Sequence, residues 1–341
     1  MKSKILILKN DRVGDLFTSI KLISSLCIKN HDIKLYLSHL NRNFSFLFKN
    51  IKIETINNKT SLKEKFKVFF DILLNKYDKI YILTPKEFYF YLPLIFRKVK
   101  FYAIVYNNKK NNRPNNFFRK YLYKYKIVYR NKINEISYTH IQNKLLDNSE
   151  ILDNNFKNLT IPEINQNFKN IIPNKYIFFQ FRYKFFEELK WNISDIENFV
   201  KYLNNKYENV LFCSEIEVNE RIKHYNNYFE KKFSIIDLNN FSKKQNEKNK
   251  NIFFLKNLLS KDMLLIIQNS QICLAKEGMV SHIAYFLNKK CHNLYNFKII
   301  NRSDILHQKI SYSEWCKGMK HSFSFFSENF DKSIKKLSKQ I

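Results

Sequence analysis

Apolar residues fall along the chain as short continuous runs that alternate with stretches of helical spacing. Lys4 to Lys9 (KILILK) is a run of the kind that a buried parallel strand requires, and Leu16 to Lys29 repeats apolar residues at Leu16, Ile20, Ile23 and Cys27, a helical period. Further strands are predicted at Ile33 to Leu37, Lys79 to Leu83 and Phe101 to Tyr106, with a helix-compatible segment at Leu62 to Leu74. A polar stretch from Asp147 to Pro173 follows, with prolines at 162 and 173 and little periodicity. The second half repeats the alternation. Tyr176 to Phe181 is a strand, Ser194 to Asn204 a helix with Ser194 as N-cap, and Asn209 to Cys213 a strand. Lys243 to Asn251 is a charged loop, and Leu258 to Asn269, Ile272 to Ala275 and Val280 to Leu287 give helix, strand and helix. A last helix is predicted over Ser322 to Leu337.

This alternation predicts a parallel α/β architecture in two Rossmann-like domains facing each other across a cleft. The expected division is an N-terminal domain over residues 1–160, a linker over 161–175, a C-terminal domain over 176–320, and a C-terminal helix over 321–341 that packs back toward the first domain.

Composition narrows the classes. With 45% apolar and 16% aromatic residues the 341-residue chain can bury two cores, so wholesale disorder is excluded. No run approaches 18 uncharged apolar residues, so no spanning helix is expected, and the N-terminus lacks the core of a secretory leader. Five cysteines (Cys27, Cys213, Cys273, Cys291, Cys316) are scattered and never form a CxxC pair. They read as reduced cytoplasmic thiols rather than a disulfide frame or a zinc site. The net charge is +30, and 51 of the 60 basic residues are lysine.

Only three glycines occur, where average usage would give roughly 24. The excess of Lys, Asn, Ile, Phe and Tyr matches A/T-rich codons, which accounts for the bias and for much of the charge. A glycine retained against that bias marks a place where a side chain is not tolerated. Gly14 lies between the first strand and first helix, and Gly278 between the strand ending at Ala275 and the next helix. Each has a carboxylate beside it, Asp15 and Glu277. A helix N-terminus behind such a turn offers unpaired N–H groups to an anion. Asp15 is equally suited to N-capping and Glu277 to a solvated loop; Gly318 reads as an ordinary turn residue before the last helix.

These turns carry a resemblance. KILILKNDRVGDLFTSIKLISSL resembles the opening of the ADP-heptose:lipopolysaccharide heptosyltransferases (glycosyltransferase family 9): a strand, a basic residue, a short loop and a Gly-Asp pair leading into a helix. ICLAKEGMVSHIAYFLNKK resembles their second signature, a turn of Asp-Thr/Ser-Gly-x-x-His type. Lys190-Trp191 after YIFFQF resembles the family's Lys-x-Trp region, and LFCSEIEVNE its strand followed by a glutamate-bearing loop. The likeness spans nearly the whole chain. It departs from the pattern at Glu277-Gly278-Met279, where the glycine is displaced and the hydroxyl residue missing although Ser281 precedes His282. It also departs at Lys190, which touches the tryptophan directly, and at Phe179 to Arg182, which lacks the family's glycine.

The resemblance implies a GT-B fold and an inverting, metal-independent transfer of a heptose or similar sugar from a nucleotide diphosphate donor, ADP-heptose being the family's. The acceptor would be a lipopolysaccharide or lipid-linked phosphorylated glycan. Asp15 would be the general base, with Lys9 and Gly14 in the acceptor-side turn. The diphosphate would be met by the helix start at Gly278, Met279 and Val280, with Glu277 and Ser281 in the same turn, helped by Lys190 and Arg182. Glu217, or Glu220, would contact the ribose, and His282 would touch phosphate or orient the turn. On residue type alone His282 reads as a packed histidine and Lys9 as a strand-end lysine.

The charge is uneven, with +19 of the +30 accumulated by Lys157. Glu87 to Tyr106 mixes aromatic and basic residues and is followed by the basic stretch Lys109 to Lys126, which suits an anionic bilayer surface. The expected protein is a cytoplasmic monomer, peripheral at the inner face of the membrane. A buried strand and helix is the plainer reading of Glu87 to Tyr106. Two rival functions stand beside the transferase: an RNA-binding basic protein, disfavoured by low arginine content, and a degenerate transferase that binds without turnover.

Overall fold

The computed structural model describes residues 2–28, 31–107, 116–129, 138–147, 152, 156–215, 220–276, 278–296 and 321–341. The chain divides into two compact units, with the break between Ile161 and Pro162.

The first unit holds strands β1 (Lys4–Lys9), β2 (Asp32–Ser38), β3 (Lys52–Ile56), β4 (Lys79–Ile82), β5 (Lys100–Asn107) and β6 (Lys124–Tyr129). They form one wholly parallel sheet in the order β3-β2-β1-β4-β5-β6. This is the doubly wound order whose switch point lies between the first and fourth strands. Helices α1 (Val13–Cys27), α2 (Leu62–Asn75) and α3 (Glu87–Ile95) connect the strands, with short helices α4 (Asn116–Arg119) and α5 (Tyr138–Asn143) further on. Central strand β1 is buried from Ile5 through Lys9, as its continuous apolar run requires. A cluster of Leu6, Leu8, Tyr36, Val68, Ile72, Ile80, Phe90 and Phe101 seats α2 and α3 on the sheet. Inside it Asp71 of α2 accepts hydrogen bonds from Lys34 (2.7 Å), Tyr77 (3.1 Å) and Tyr36 (3.2 Å), which fixes the rotation of that helix.

The second unit opens with α6 (Gln166–Ile171) and continues through β7 (Ile177–Gln180), α7 (Tyr183–Glu188), α8 (Ile193–Lys206), β8 (Val210–Cys213), α9 (Glu220–Lys232), β9 (Ser234–Asp237), β10 (Ser242–Lys244) and β11 (Ile252–Lys256). It ends with α10 (Ser260–Asn269), β12 (Cys273–Lys276), α11 (Met279–Phe286), β13 (Cys291–Asn296), β14 (His321–Phe326) and α12 (Phe330–Leu337). The sheet order is β10-β9-β11-β8-β7-β12-β13-β14, parallel except for the antiparallel β9–β10 pair. Its switch point is at β7/β12. With almost no glycine, the core is filled by interlocking rings: Phe186 and Phe199 pack against Trp191, and Phe181, Phe229 and Phe212 continue the cluster from Phe186. The Trp191 indole N–H donates to the Ser327 carbonyl at 3.0 Å.

Several expectations are corrected. The C-terminal segment is not one helix: HSFSFF alternates with period two and adds strand β14 beside β13, and only Phe330–Leu337 is helical. Both pack within the second unit, where Leu337 shares a core with Trp191 and Phe326, and Lys206 donates to the Ser338 and Ile341 carbonyls. Helix α8 is capped by Asn192, not Ser194, through a reciprocal box with Asp195. The stretch read as a loop from Lys243 begins within edge strand β10, whose fully exposed Ser-Lys-Lys sequence hides its pairing.

Candidate functional site

The first switch point is built by the turns after β1 and β4. Lys9, the last residue of β1, is completely buried, and its Nζ lies 2.8 Å from the Asp11 carboxylate and 3.4 Å from the Leu83 carbonyl. Asn10, also fully buried, donates to the Asn57 carbonyl (2.9 Å) and Thr60 hydroxyl (3.2 Å) and accepts from the Tyr89 hydroxyl (2.8 Å). The Asp11 carbonyl accepts from Ser38 (2.6 Å) and Asn41 (3.1 Å). The turn is therefore pinned from both sides. Lys86, after β4, donates to the carbonyls of Asn10 (3.0 Å) and Asn58 and to Thr60 (3.3 Å); burial pushes its pKa down to about 8, against the opposing pull of Asp11 and Glu64.

Helix α1 begins at Val13, with Arg12 as an N-cap that supplies no side-chain bond. Asp15 is thus the third helical residue and not the N-cap, and Gly14 is helical. The Asp15 carbonyl accepts from Thr18 (2.7 Å) and Ser19 (3.3 Å). Its half-buried carboxylate makes no hydrogen bond or ion pair among the described residues, and at the helix start its anion, the form that can accept a proton, sits in a favourable field. Asp11 stands in a harsher place. Burial first, and then the charge of Asp15, hold its carboxyl above the ordinary carboxylate range while Lys9 opposes them. Its Oδ1 is buried without a partner. Asp11 and Lys86 were not singled out in the sequence; the signal for Asp11 was its place two residues beyond a buried strand-end lysine.

The second switch point brings Arg182 and Gly278 together, for Gln180 of β7 pairs with Ala275 of β12 and both strands end there. Gly278 has φ 153° and ψ −139°, a conformation essentially confined to glycine. A Cβ there would stand 3.4 Å from an Arg182 guanidinium nitrogen, so the guanidinium lies over this turn. Behind it α11 starts without a side-chain cap, its first intrahelical bond running from the His282 N–H to the Gly278 carbonyl at 3.1 Å. The main-chain N–H groups of Met279, Val280 and Ser281 are those a helix start leaves without intrahelical partners. The side chains of this turn look inward: Val280 and Ser281 are fully buried, the Ser281 hydroxyl donates to Asn293, and His282 is 3% exposed. Among the described residues, the turn offers a ligand main-chain N–H and arginine.

The remaining candidates lie elsewhere. Lys190 closes α7 with φ 57°, is 74% exposed, and pairs with Glu328 at 3.0 Å. Glu220 opens α9 and pairs outward with Lys223 at 2.6 Å. Glu217 and Glu277 lie outside the described residues, as do Gly318 and residues 109–115 of the Lys109 to Lys126 stretch. The carboxylate that does reach Arg182 is Glu215, 3.8 Å from its Nε at the end of β8. Glu215 also borders a cavity of about 350 Å³ with Ser214, Asn226, Lys256, Asn257 and Leu258, at the carboxyl ends of β8 and β11. Glu87 to Tyr106 forms α3 and β5 and sends Tyr89, Phe90, Leu92 and Phe101 through Val105 into the core. Among the described residues no three His, Cys, Asp or Glu side chains gather as metal ligands, and no helix is long and apolar enough to cross a membrane.

No family model and no curated protein matches the sequence. Solved structures do match the fold. A glycosyl transferase family 9 protein from Veillonella parvula aligns over 99% of this chain and 90% of its own, with TM-score 0.62 and 13% identity. The Escherichia coli ADP-heptose LPS heptosyltransferase II aligns over 99% and 98%, with TM-score 0.61 and 12% identity. A UDP-GlcNAc 2-epimerase from Methanocaldococcus jannaschii aligns over 98% and 92%, with TM-score 0.56 and 15% identity. The chain therefore has the two-domain α/β fold of GT-B proteins.

Proposed function

We propose that the protein is a glycosyltransferase of the heptosyltransferase type, moving a heptose or similar sugar from a nucleotide diphosphate donor to a lipid-linked, phosphorylated glycan. The observation that carries this reading is the Arg182 guanidinium over the Gly278 turn at the uncapped start of α11. Three main-chain N–H groups and a planar cation at one strand-end turn suit a diphosphate. In this reading they supply the charge that a divalent metal supplies elsewhere, and the 350 Å³ cavity beside Glu215 takes the nucleoside, with the Glu215 carboxylate accepting from ribose hydroxyls.

Chemistry then needs a base. The acceptor hydroxyl gives its proton to the Asp15 carboxylate as its oxygen bonds to the anomeric carbon, and the bond from that carbon to the diphosphate oxygen breaks with its electron pair leaving on the nucleotide. Attack opposite the leaving group inverts the anomeric centre. Lys9 and Lys86 hold the Asp11 and Asn10 turn in shape beneath Asp15. His282 orients α11 from within, and Lys190 acts on the surface near Glu328 rather than on phosphate. The enzyme acts as a cytoplasmic monomer bound peripherally to the inner face of the membrane, where a lipid-linked acceptor resides.

A second reading follows from the epimerase likeness: the same donor site would serve a nucleotide-sugar 2-epimerase. Thermal unfolding against a panel of nucleotides and nucleotide sugars tests the shared premise. A donor at about 100 times its dissociation constant adds roughly 2.7 kcal/mol. Stabilisation by ADP-heptose, with transfer to acceptor and no epimerised sugar, supports the transferase. Epimerised product without acceptor supports the second reading, and stabilisation by RNA alone sinks both.

A further inference from the structure

Helix α2 is apolar on the side that faces away from its sheet. Asp71, Val68 and Ile72 seat it inward, Asp71 through three hydrogen bonds. On the opposite side Leu62, Phe66, Phe70, Leu73 and Leu74 are between 51% and 75% exposed. At 100° per residue these five span an arc of about 120°. Surface helices of soluble α/β units carry polar residues there. The patch continues onto α3: Phe69 meets Phe96, which caps α3, with ring centroids 5.2 Å apart, and Ile95 is 60% exposed.

The rim of this face is cationic. Lys59, Lys63, Lys67 and Lys76 on or beside α2, and Arg97 and Lys98 beyond α3, are exposed. The neighbouring carboxylates are occupied: Glu64 accepts from the Asn57 and Ser61 N–H groups, and Glu54 pairs with Lys34 and Lys67. A second copy of the chain docked here would set lysines against lysines, which costs rather than gains. An apolar stripe with phenylalanines, bordered by lysines, matches the chemistry of an interfacial helix on an anionic bilayer.

We infer that the outer face of α2, extended by Ile95, is the surface by which the protein docks on anionic membranes. The inference rests on the peripheral-membrane part of the proposed function, yet it needs no turnover. The Glu87 to Tyr106 segment contributes Ile95 and the rim residues Arg97 and Lys98 to this surface, while Tyr89, Phe90, Phe101 and Tyr102 are core.

The test is co-sedimentation of the full chain with phosphatidylcholine vesicles, with and without phosphatidylglycerol. Wild type is expected to bind the anionic vesicles, more weakly as salt rises. The variant Leu62→Ser/Phe66→Ser/Leu74→Ser should bind at least about tenfold more weakly. Lys59→Gln/Lys63→Gln should weaken binding severalfold and flatten the salt dependence. Unfolding transitions matching wild type establish that α2 is intact, and an unchanged stabilisation by nucleotide keeps the donor-site reading separate. Equal vesicle binding by the serine variant overturns the inference, because binding then comes from dispersed lysine charge. So does a wild-type dimer that the serine variant dissolves in the absence of vesicle binding.

Discussion

Lys9→Met is the sharpest probe of the acceptor-side turn. Lys9 is 0% exposed and Asp11 is 16% exposed, with 2.8 Å between Nζ and Oδ2. Removing the cation leaves a buried carboxylate whose other oxygen already has no partner and which feels the charge of Asp15. Breaking a buried pair from one side costs about 3–5 kcal/mol, a large share of the 5–15 kcal/mol that holds a typical protein together. The cost depends on pH. Asp11 already titrates above the ordinary carboxylate range because of burial, and Lys9 is what opposes the shift. Without Lys9 the folded state holds its proton to still higher pH than the unfolded chain does. The resulting stability is complete below the unfolded pKa of about 3.9 and is lost as pH rises, at up to about 1.36 kcal/mol per unit. Urea titrations of wild type and variant should therefore show a small deficit at pH 5 and the full deficit at pH 8. Lys9→Met/Asp11→Asn, which removes the stranded charge, should recover at least half of it. A deficit equal at both pH values, and unrelieved in the double variant, would refute the ion-pair account and assign the role of Lys9 to the packing of its stem.

Three further outcomes are expected. Asp15→Asn should lower turnover at least about a hundredfold while donor stabilisation in thermal unfolding stays as in wild type; an unchanged rate removes Asp15 from the base role. Gly278→Ala should cost about 1–3 kcal/mol through its backbone at φ 153° and abolish stabilisation by nucleotide, checked by thermal unfolding with and without ADP. His292, pinned between the Ser322 and Ser324 hydroxyls and pushed down to about 4 by burial, should make the second unit lose about 3 kcal/mol as pH falls from 6.5 to 4, because the unfolded chain takes up the proton first. Acid titration followed by circular dichroism checks this, and His292→Asn should flatten it.

The strands with continuous apolar runs were legible because a parallel strand buried on both faces needs nothing else: KILILK and YIFFQF read directly. Of the strands that escaped notice, β11 (IFFLK) is a short buried apolar run lost between a charged loop and a helix, while others are polar or one-sided in their burial. CHNLYN is buried throughout as β13, yet His292 and Asn293 satisfy themselves with Ser322, Ser324 and Ser281, partners brought in from elsewhere in the chain. HSFSFF carries a period of two, but the face that is buried holds Ser324 beside Phe326, which hides its apolar character. At the sites, Gly278 was readable because glycine is so rare here. Arg182 was readable as a cation at a strand end, although its seat over Gly278 depends on β7 pairing with β12 across almost a hundred residues. Lys86 and Glu215 acquire meaning only from such long-range contacts, whereas Asp11 had a local signal in its nearness to Lys9.

The two switch points share a topology and differ in chemistry. Each sits where two parallel neighbours, β1 and β4 in the first unit and β7 and β12 in the second, end side by side, with a helix start behind the turn. In the first unit the turn presents the carboxylates of Asp11 and Asp15 at the start of α1, and the cations Lys9 and Lys86 are drawn beneath them. That arrangement suits removal of a proton and opposes an incoming phosphate. In the second unit the turn presents a guanidinium, and the side chains of Val280 and Ser281 withdraw into the core, so among the described residues the helix start offers main-chain N–H groups. Lysine supplies 51 of the 60 basic residues, so a lysine at the strand end would need no explanation. An arginine there does, and in the proposed donor site its rigid fork would match two phosphate oxygens at once. The same bias makes Gly278 informative: a backbone at φ 153° tolerates no replacement that the codon drift could offer.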